Sequence, residues 1–307
     1  MLISIDHGNK QIKTIHHDPF ISGLRESDTR PFGDEVLMYQ GKYYTLTNQR
    51  IPFHRDKTED DRFFILSLFA IAYEMEACAA GVLPGEADTQ LQLAVGLPPA
   101  HYSTQHREFS RYFLGRGVIP FTFRSRSYSI YIDDAACFPQ SYAAAVTMLQ
   151  NLQNTPKTLV VDIGGYTVDY LQIRNGEGDL TVCDSLENGV IILYNKIISR
   201  VYQECDLRLD EAEIDAILGR KAEGYAPAVA VLVERLATEF INDLLSTLRE
   251  RGLELKAGKV VFVGGGSMLL RRIIEASGKV GAALFVEDIR ANAKGFALLY
   301  QLIHRRR

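Results

Sequence analysis

The sequence predicts an α/β fold of two related lobes, and three observations predict it. The stretch Leu159-Val160-Val161-Asp162-Ile163-Gly164-Gly165-Tyr166-Thr167-Val168-Asp169 has a near twin in Leu2-Ile3-Ser4-Ile5-Asp6-His7-Gly8-Asn9-Lys10, each an apolar strand that delivers an aspartate into a glycine-bearing turn. A third glycine turn, Gly264-Gly265-Gly266-Ser267, follows the apolar run Val260 to Val263 and leads into a helical pattern from Met268 to Ala276. Finally, the order of elements that opens the chain starts again after the break Asn154-Thr155-Pro156-Lys157, the internal repeat expected of two lobes sharing one topology.

The elements follow in order from local pattern. Met1 to Thr14 and Val36 to Thr47 read as strands, the second a hairpin turning at Gln40-Gly41-Lys42. Asp60 to Gly81 is a long helix capped by Asp60 or Asp61, and Gln90 to Gly96 is a strand that ends in Leu97-Pro98-Pro99. A helix over Ser103 to Leu114 leads to strands at Ile119 to Phe123 and Tyr128 to Asp133. Phe138 to Leu152 then reads as helical, with Pro139 tolerated in its first turn.

After the break come a strand, the glycine turn, a strand at Val168 to Arg174, a hairpin at Asn175-Gly176-Glu177-Gly178, a strand at Leu180 to Ser185 and a helix over Val190 to Cys205. Asp210 caps a short helix to Leu218, Ala226 to Arg251 is a long amphipathic helix, and Ala291 to Arg305 returns to the first lobe. The expected lobes are therefore interleaved: residues 1–155 with 291–307, and residues 156–290.

A buried strand cannot hold a free carboxylate in its interior, so an aspartate at its end followed by glycine suits a phosphate with its metal ion. Asp6 and Asp162 are the candidate Mg²⁺ residues, acting largely through water, because Mg²⁺ keeps several waters and takes one or two carboxylates. Asp169, on the strand leaving the second turn, either handles the attacking water or supports the metal. The bare backbone of Gly264, Gly265, Gly266 and Ser267 gives a flat ring a surface to lie on.

These three turns, in this order and spacing, resemble the phosphate-1, phosphate-2 and adenosine motifs of the superfamily that unites actin, heat-shock chaperone ATPases and sugar kinases. Within it the chain is most similar to bacterial plasmid-segregating actins of the ParM type, on Val95-Gly96-Leu97-Pro98-Pro99, Phe138-Pro139-Gln140-Ser141 and Ala291-Asn292-Ala293-Lys294-Gly295-Phe296. The resemblance implies an actin-like ATPase fold, each lobe a mixed sheet flanked by helices, with nucleotide in the cleft between them. It implies nucleotide contacts from Asp6, Gly8, Asn9, Lys13, Gly164, Gly165, Tyr166, Thr167, Glu187, Gly189, Gly264, Gly265, Gly266 and Ser267. Lys13 has the spacing of the phosphate-contacting lysine, Asn9 stands where many relatives have Ser or Thr, and Gln140 stands where segregation relatives more often carry Glu. A glutamine orients water but is a poor base, so slow hydrolysis is expected.

The implied activity is Mg-dependent hydrolysis of ATP or GTP, coupled to head-to-tail filament assembly and to plasmid DNA through an adaptor on its centromere. The second class is a non-polymerising kinase or nucleotide-gated scaffold; the sequence shows no clear acceptor-site base and leaves no residues for a peptide-binding domain. A net charge of −4 argues against broad direct nucleic-acid binding.

At 47% hydrophobic and 23% charged the composition is that of an ordinary globular protein. Phe63 to Tyr73, the most apolar run, would reach about 16 Å as a helix against the ~30 Å of a bilayer core, so no membrane role is expected. The first strand carries a site residue, which argues against a cleaved leader. Cys78, Cys137, Cys183 and Cys205 lack metal spacing and read as buried reduced thiols, consistent with the cytoplasm. His16 and His17 read as exposed strand positions, Tyr128, Tyr131, Phe138 and Tyr142 as core, and His304 to Arg307 as a solvated tail.

Overall fold

The computed structural model describes residues 1–78, 88–148, 152 and 155–305. The expected helix end at Gly81, the break residue Asn154 and the tail residues Arg306 and Arg307 lie outside the described residues. The chain divides into two compact units, Met1–Thr147 with Arg290–Arg307 and Met148–Ile289.

The first unit contains β1 (Leu2–His7), β2 (Gln11–Lys13), β3 (Phe20–Ile21), β4 (Leu24–Ser27), β5 (Val36–Tyr39), β6 (Lys42–Leu46), α1 (Arg62–Cys78), β7 (Thr89–Leu97), α2 (Pro99–Phe113), β8 (Val118–Phe123), β9 (Arg126–Pro139) and α3 (Tyr142–Val146). The second contains β10 (Lys157–Ile163), β11 (Val168–Arg174), β12 (Glu177–Leu186), α4 (Val190–Cys205), α5 (Glu211–Leu218), α6 (Pro227–Glu250), β13 (Lys259–Val263), α7 (Gly265–Leu269), α8 (Arg271–Ala276) and β14 (Ala282–Phe285). Helix α9 (Ala291–Arg305) belongs to the first unit.

The repeat read from the sequence is a repeat of strand order. The first sheet runs β3-β2-β1-β7-β9-β8-β5-β6-β4 and the second β12-β11-β10-β13-β14. In the shared five-strand core, a hairpin partner and its neighbour pair antiparallel on one side of β1 or β10, and two strands pair parallel on the other. Parallel neighbours require helical crossovers, which is why each unit alternates strands with helices and packs helices against its sheet.

Each unit has its own core. In the first, α1 is buried on every side from Phe63 to Met75, as a helix apolar all round must be. In the second, α6 presents one stripe, Val229, Leu232, Val233, Leu236, Phe240, Ile241, Leu244 and Leu248, to a cluster shared with α4 and β10. Asp210 caps α5 with a full capping box: its carboxylate accepts from Glu213 N, and the Glu213 carboxylate accepts from Asp210 N.

Several expectations need correction. The second helix starts at Pro99 rather than Ser103, since Pro suits a first helical position. Strand β9 continues past Asp133 to Pro139, held by parallel pairing of Gly96 with Phe138 and Leu97 with Pro139, so Phe138 and Pro139 are strand and not helix. Tyr131 is 43% exposed, because alternation along β9 turns it outward while Tyr128 and Phe138 are buried. Cys137 is buried, but Cys78 is exposed at the end of α1, and Cys183 and Cys205 are half-buried; all four are free thiols. His16 and His17 lie in a bend after β2, not in a strand: His16 is exposed, whereas His17 is half-buried and stacks on Tyr73 at 3.8 Å between ring centres.

Candidate nucleotide site

In the first unit, Asp6 sits at the C-terminal end of β1 and pairs across the hairpin with Lys13. The residues are directly opposite, so their side chains leave the same face, and Lys13 Nζ lies 3.2 Å from Asp6 Oδ2. The other carboxylate oxygen, Oδ1, accepts from Gln140 Nε2 at 2.7 Å. Asp6 and Gln140 are both buried. With one amide hydrogen given to Asp6, Gln140 keeps its side-chain carbonyl oxygen as an acceptor, together with a second N–H, to offer a water.

The turn that holds Gln140 is itself held. Gln140 N donates to Leu97 O, Tyr142 N donates to Gln140 O, and Ser141 between them has φ of 64°, an uncommon backbone state for a residue with a side chain. The amide of Ser141 donates to Asn292 Oδ1 at 3.0 Å, reaching helix α9. A Cβ on Gly295 would come within 1.9 Å of Ala143 O, so only glycine lets α9 pack this closely on α3. Phe296 lies on Gly96. The C-terminal Ala-Asn-Ala-Lys-Gly-Phe stretch therefore supports the Gln140 turn from behind.

His7 is fully buried beside Phe109 and Phe113. Ser67 Oγ donates to Phe63 O at 2.7 Å, so His7 Nε2, 2.7 Å from the same hydroxyl, must be the donor to it. Burial first, and then the nearby Lys57 charge, hold the His7 pKa well below its usual 6.5, so the ring is neutral. Buried Lys57 donates from Nζ to the His7 carbonyl and thus braces the first turn. Nothing in the local pattern marks Lys57 or Asn292 for these roles; Lys57 is 50 residues from His7 and Asn292 is 151 from Ser141.

In the second unit the equivalent hairpin position is filled differently. Asp162 pairs directly with Asp169, at the register that Asp6 and Lys13 occupy in β1 and β2. Two opposed carboxylates on one face repel unless positive charge joins them. Both residues are buried, and Thr167 Oγ1 donates to Asp169 Oδ2 at 3.4 Å.

The turn between them directs three peptide groups. The carbonyls of Gly164, Gly165 and Tyr166 accept from the amides of Val190, Ile191 and Gly189 at the start of α4. Because the C=O and N–H of a trans peptide point opposite ways, the N–H groups of Gly165, Tyr166 and Thr167 point away from α4, as in an anion-binding nest. Gly189 is the residue before α4, while Glu187 is exposed.

The third turn packs on the second. Val263 pairs in register with Asp162, and the next residue, Gly264, has φ of 87°. Its missing Cβ would lie 2.2 Å from Asp162 Oδ1, whereas one on Gly265 would meet nothing within 4 Å. Ser267 is fully buried and its hydroxyl donates to Val263 O at 2.5 Å, so that hydroxyl serves the helix start rather than an open face.

Two strand-end turns of this kind on a duplicated five-strand core match the actin-like class of fold. A family model for actin-like proteins, N-terminal domain, matches residues 4–142, and one for archaeal MreB-like actin homologues, C-terminal, matches residues 160–276. Between them the two models match most of the chain, which has the actin-like fold and is similar to proteins of the ParM type. Among solved structures it is similar to Ta0583, an archaeal actin homologue (20% identity, TM-score 0.75, 98% of this chain and 99% of that one), which has also been solved in complex with ADP. It is likewise similar to the actin-like protein Alp7A (14% identity, TM-score 0.75, 100% and 98% covered). A third likeness is to the subunit of a 15-stranded ParM filament from Clostridium botulinum (16% identity, TM-score 0.74, 98% and 99% covered). At these identities the likeness establishes the fold. The comparison with curated proteins gave no match. Among the described residues no helix is long and apolar enough to cross a membrane.

Proposed function

We propose that the chain is a Mg-dependent ATPase, with GTP as the alternative nucleotide, that polymerises head to tail on nucleotide binding. We further propose that the filaments segregate plasmid DNA in the cytoplasm through a DNA-binding adaptor. The observation that carries the chemistry is the exchange of Lys13 for Asp169 at equivalent hairpin positions: one turn presents a cation for phosphate oxygens, the other a pair of carboxylates. Polyphosphate with a divalent ion needs both.

The donor set of the second turn fits Mg²⁺, which Asp162 and Asp169 would hold as a carboxylate pair. Asp6, whose two oxygens already accept from Gln140 and Lys13, would act on it only through water. Bound there, Mg²⁺ would neutralise charge on the phosphates. The amides of Gly165, Tyr166 and Thr167 donate to phosphate oxygens, Asn9 contributes an amide where relatives use a hydroxyl, and Lys13 exchanges its Asp6 contact for phosphate. Gln140 orients the attacking water through its carbonyl oxygen, and hydrolysis is slow because an amide accepts a proton poorly. Gly264 to Gly266 give the base its flat surface. We assign residues 1–155 with 291–307 and 156–290 as the two lobes of this clamp.

The support for assembly is the fold shared with a filament-forming ParM and with Alp7A. The chemistry is tested by phosphate release: Asp162→Ala is expected to abolish Mg-dependent turnover, and Gln140→Ala to slow it while filaments still form and last longer. Native turnover by Gln140→Ala would remove Gln140 from the reaction and leave Asp169→Ala as the next variant to measure.

A further inference from the structure

We propose that His16, Glu74 and Cys78 form a binding site for a divalent ion of the zinc class, in the first unit and separate from the phosphate turns. Glu74 and Cys78 stand four residues apart on α1 and share one face of the helix. His16, in the bend after β2, reaches over them: its Nδ1 is 2.8 Å from Glu74 Oε2 and 3.6 Å from Cys78 Sγ. One ligand atom from each residue lies within 4.8 Å of the others. Tetrahedral zinc with bonds of about 2.0–2.3 Å holds its donors roughly 3.3–3.8 Å apart, so an ion enters with side-chain shifts of about an ångström or less.

The carboxylate divides its work. Glu74 Oε1 accepts the backbone amides of His16 at 2.7 Å and His17 at 3.0 Å, which fixes the bend. That task leaves Oε2 facing the imidazole at 2.8 Å, and this contact is the one an ion would replace, while the Thr14 hydroxyl also bonds the carboxylate. A carboxylate that only anchored the bend would account for Oε1 but not for a thiol placed against the ring nitrogen. The bend is braced independently: His17 stacks on Tyr73, and Arg290 Nη1 donates to Ile15 O at 3.3 Å. The three donors are therefore positioned before any ion arrives.

The donor chemistry selects the ion. Nitrogen, sulfur and one carboxylate oxygen suit Zn²⁺ or Co²⁺, whereas Mg²⁺ takes oxygen ligands. Binding would release the Cys78 thiol proton to solvent and leave the imidazole coordinated through Nδ1 with its proton on Nε2. The His16 side chain is 55% exposed, so ions have access and water completes the fourth position.

The experiment is a Co²⁺ titration of tag-free, reduced protein without Mg²⁺ or nucleotide, followed by optical absorption, with Zn²⁺ affinity measured against a chromophoric chelator. One equivalent should produce a thiolate-to-cobalt charge-transfer band with tetrahedral ligand-field bands. Cys78→Ser should lose the charge-transfer band, and His16→Ala should weaken Zn²⁺ by more than about tenfold. Cys137→Ser, Cys183→Ser and Cys205→Ser should keep both properties. Circular dichroism checks that the two variants of exposed residues stay folded. No band at one equivalent, or a band that survives in Cys78→Ser, overturns the site.

Discussion

Substituting Gly264 by Ala sets two costs against each other at one atom. At φ of 87° an L-residue costs about 1–2 kcal/mol over glycine, because its Cβ crowds the following carbonyl. The new Cβ would also sit 2.2 Å from Asp162 Oδ1 and 2.8 Å from Ile163 O. Neither contact can stand, so Asp162 must leave its rotamer, at about 0.5–1.5 kcal/mol, and the backbone of the turn must shift besides. The sum is about 2–4 kcal/mol. Urea denaturation of Gly264→Ala should show that loss, and calorimetric titration with Mg-nucleotide should show little binding, since the displaced carboxylate is a proposed metal ligand. Gly265→Ala is the matched control. Its Cβ meets nothing within 4 Å, so the fold should hold to within about 0.5 kcal/mol while nucleotide affinity falls, because the methyl occupies the surface assigned to the base. Gly264→Ala with native stability and native affinity would refute the reasoning.

Four other outcomes follow from the packing. Asn292→Ala leaves the buried Ser141 amide unpaired, which should cost about 1–3 kcal/mol and lower turnover more than nucleotide affinity, as a positioning residue for Gln140 would. Phe296→Ala should destabilise by about 3–5 kcal/mol in denaturant melts, because its ring fills the space over Gly96. His7 is held neutral by burial, so the unfolded chain takes up a proton below about pH 6.5 that the native state refuses; stability is full above that pH and should fall by up to about 1.4 kcal/mol per unit as pH drops below it. His7→Gln should flatten that slope. Burial pushes the Cys137 thiol up to about 12, so under native conditions at pH 8 an alkylating reagent should label Cys78 and leave Cys137 unmodified, read by mass spectrometry of peptides.

The elements that were legible in the sequence are those whose signals are local. Helix α5 follows from its Asp210 cap and helices α4 and α9 from their periodicity, and Asp6, Asp162 and Gly264 are marked by the strand-turn patterns around them. What was hidden depends on distant partners. Strand β9 runs on to Pro139 because β7 pairs with it, although Phe138-Pro139 alone reads as a helix start. Gln140 was picked out by resemblance, but its positive-φ neighbour and its support from Asn292 come from a helix at the other end of the chain. Lys57 looks like any surface lysine until the fold buries it against His7. The Glu74 carboxylate likewise gains its meaning only when the bend at His16 closes over α1. The exposure of Cys78 and Tyr131 is hidden for the same reason, since burial depends on which face the packing covers.

The central claim is that nucleotide drives this chain into dynamic filaments, and right-angle light scattering with simultaneous phosphate release tests it most directly. Purified protein with Mg²⁺ receives ATP, GTP, ADP or no nucleotide across a range of protein concentrations. The account predicts a rise in scattering with ATP or GTP, absent without triphosphate, that decays as phosphate appears. Tight nucleotide binding or phosphate release with flat scattering at every concentration would contradict it and favour a kinase or a nucleotide-gated scaffold on the same fold.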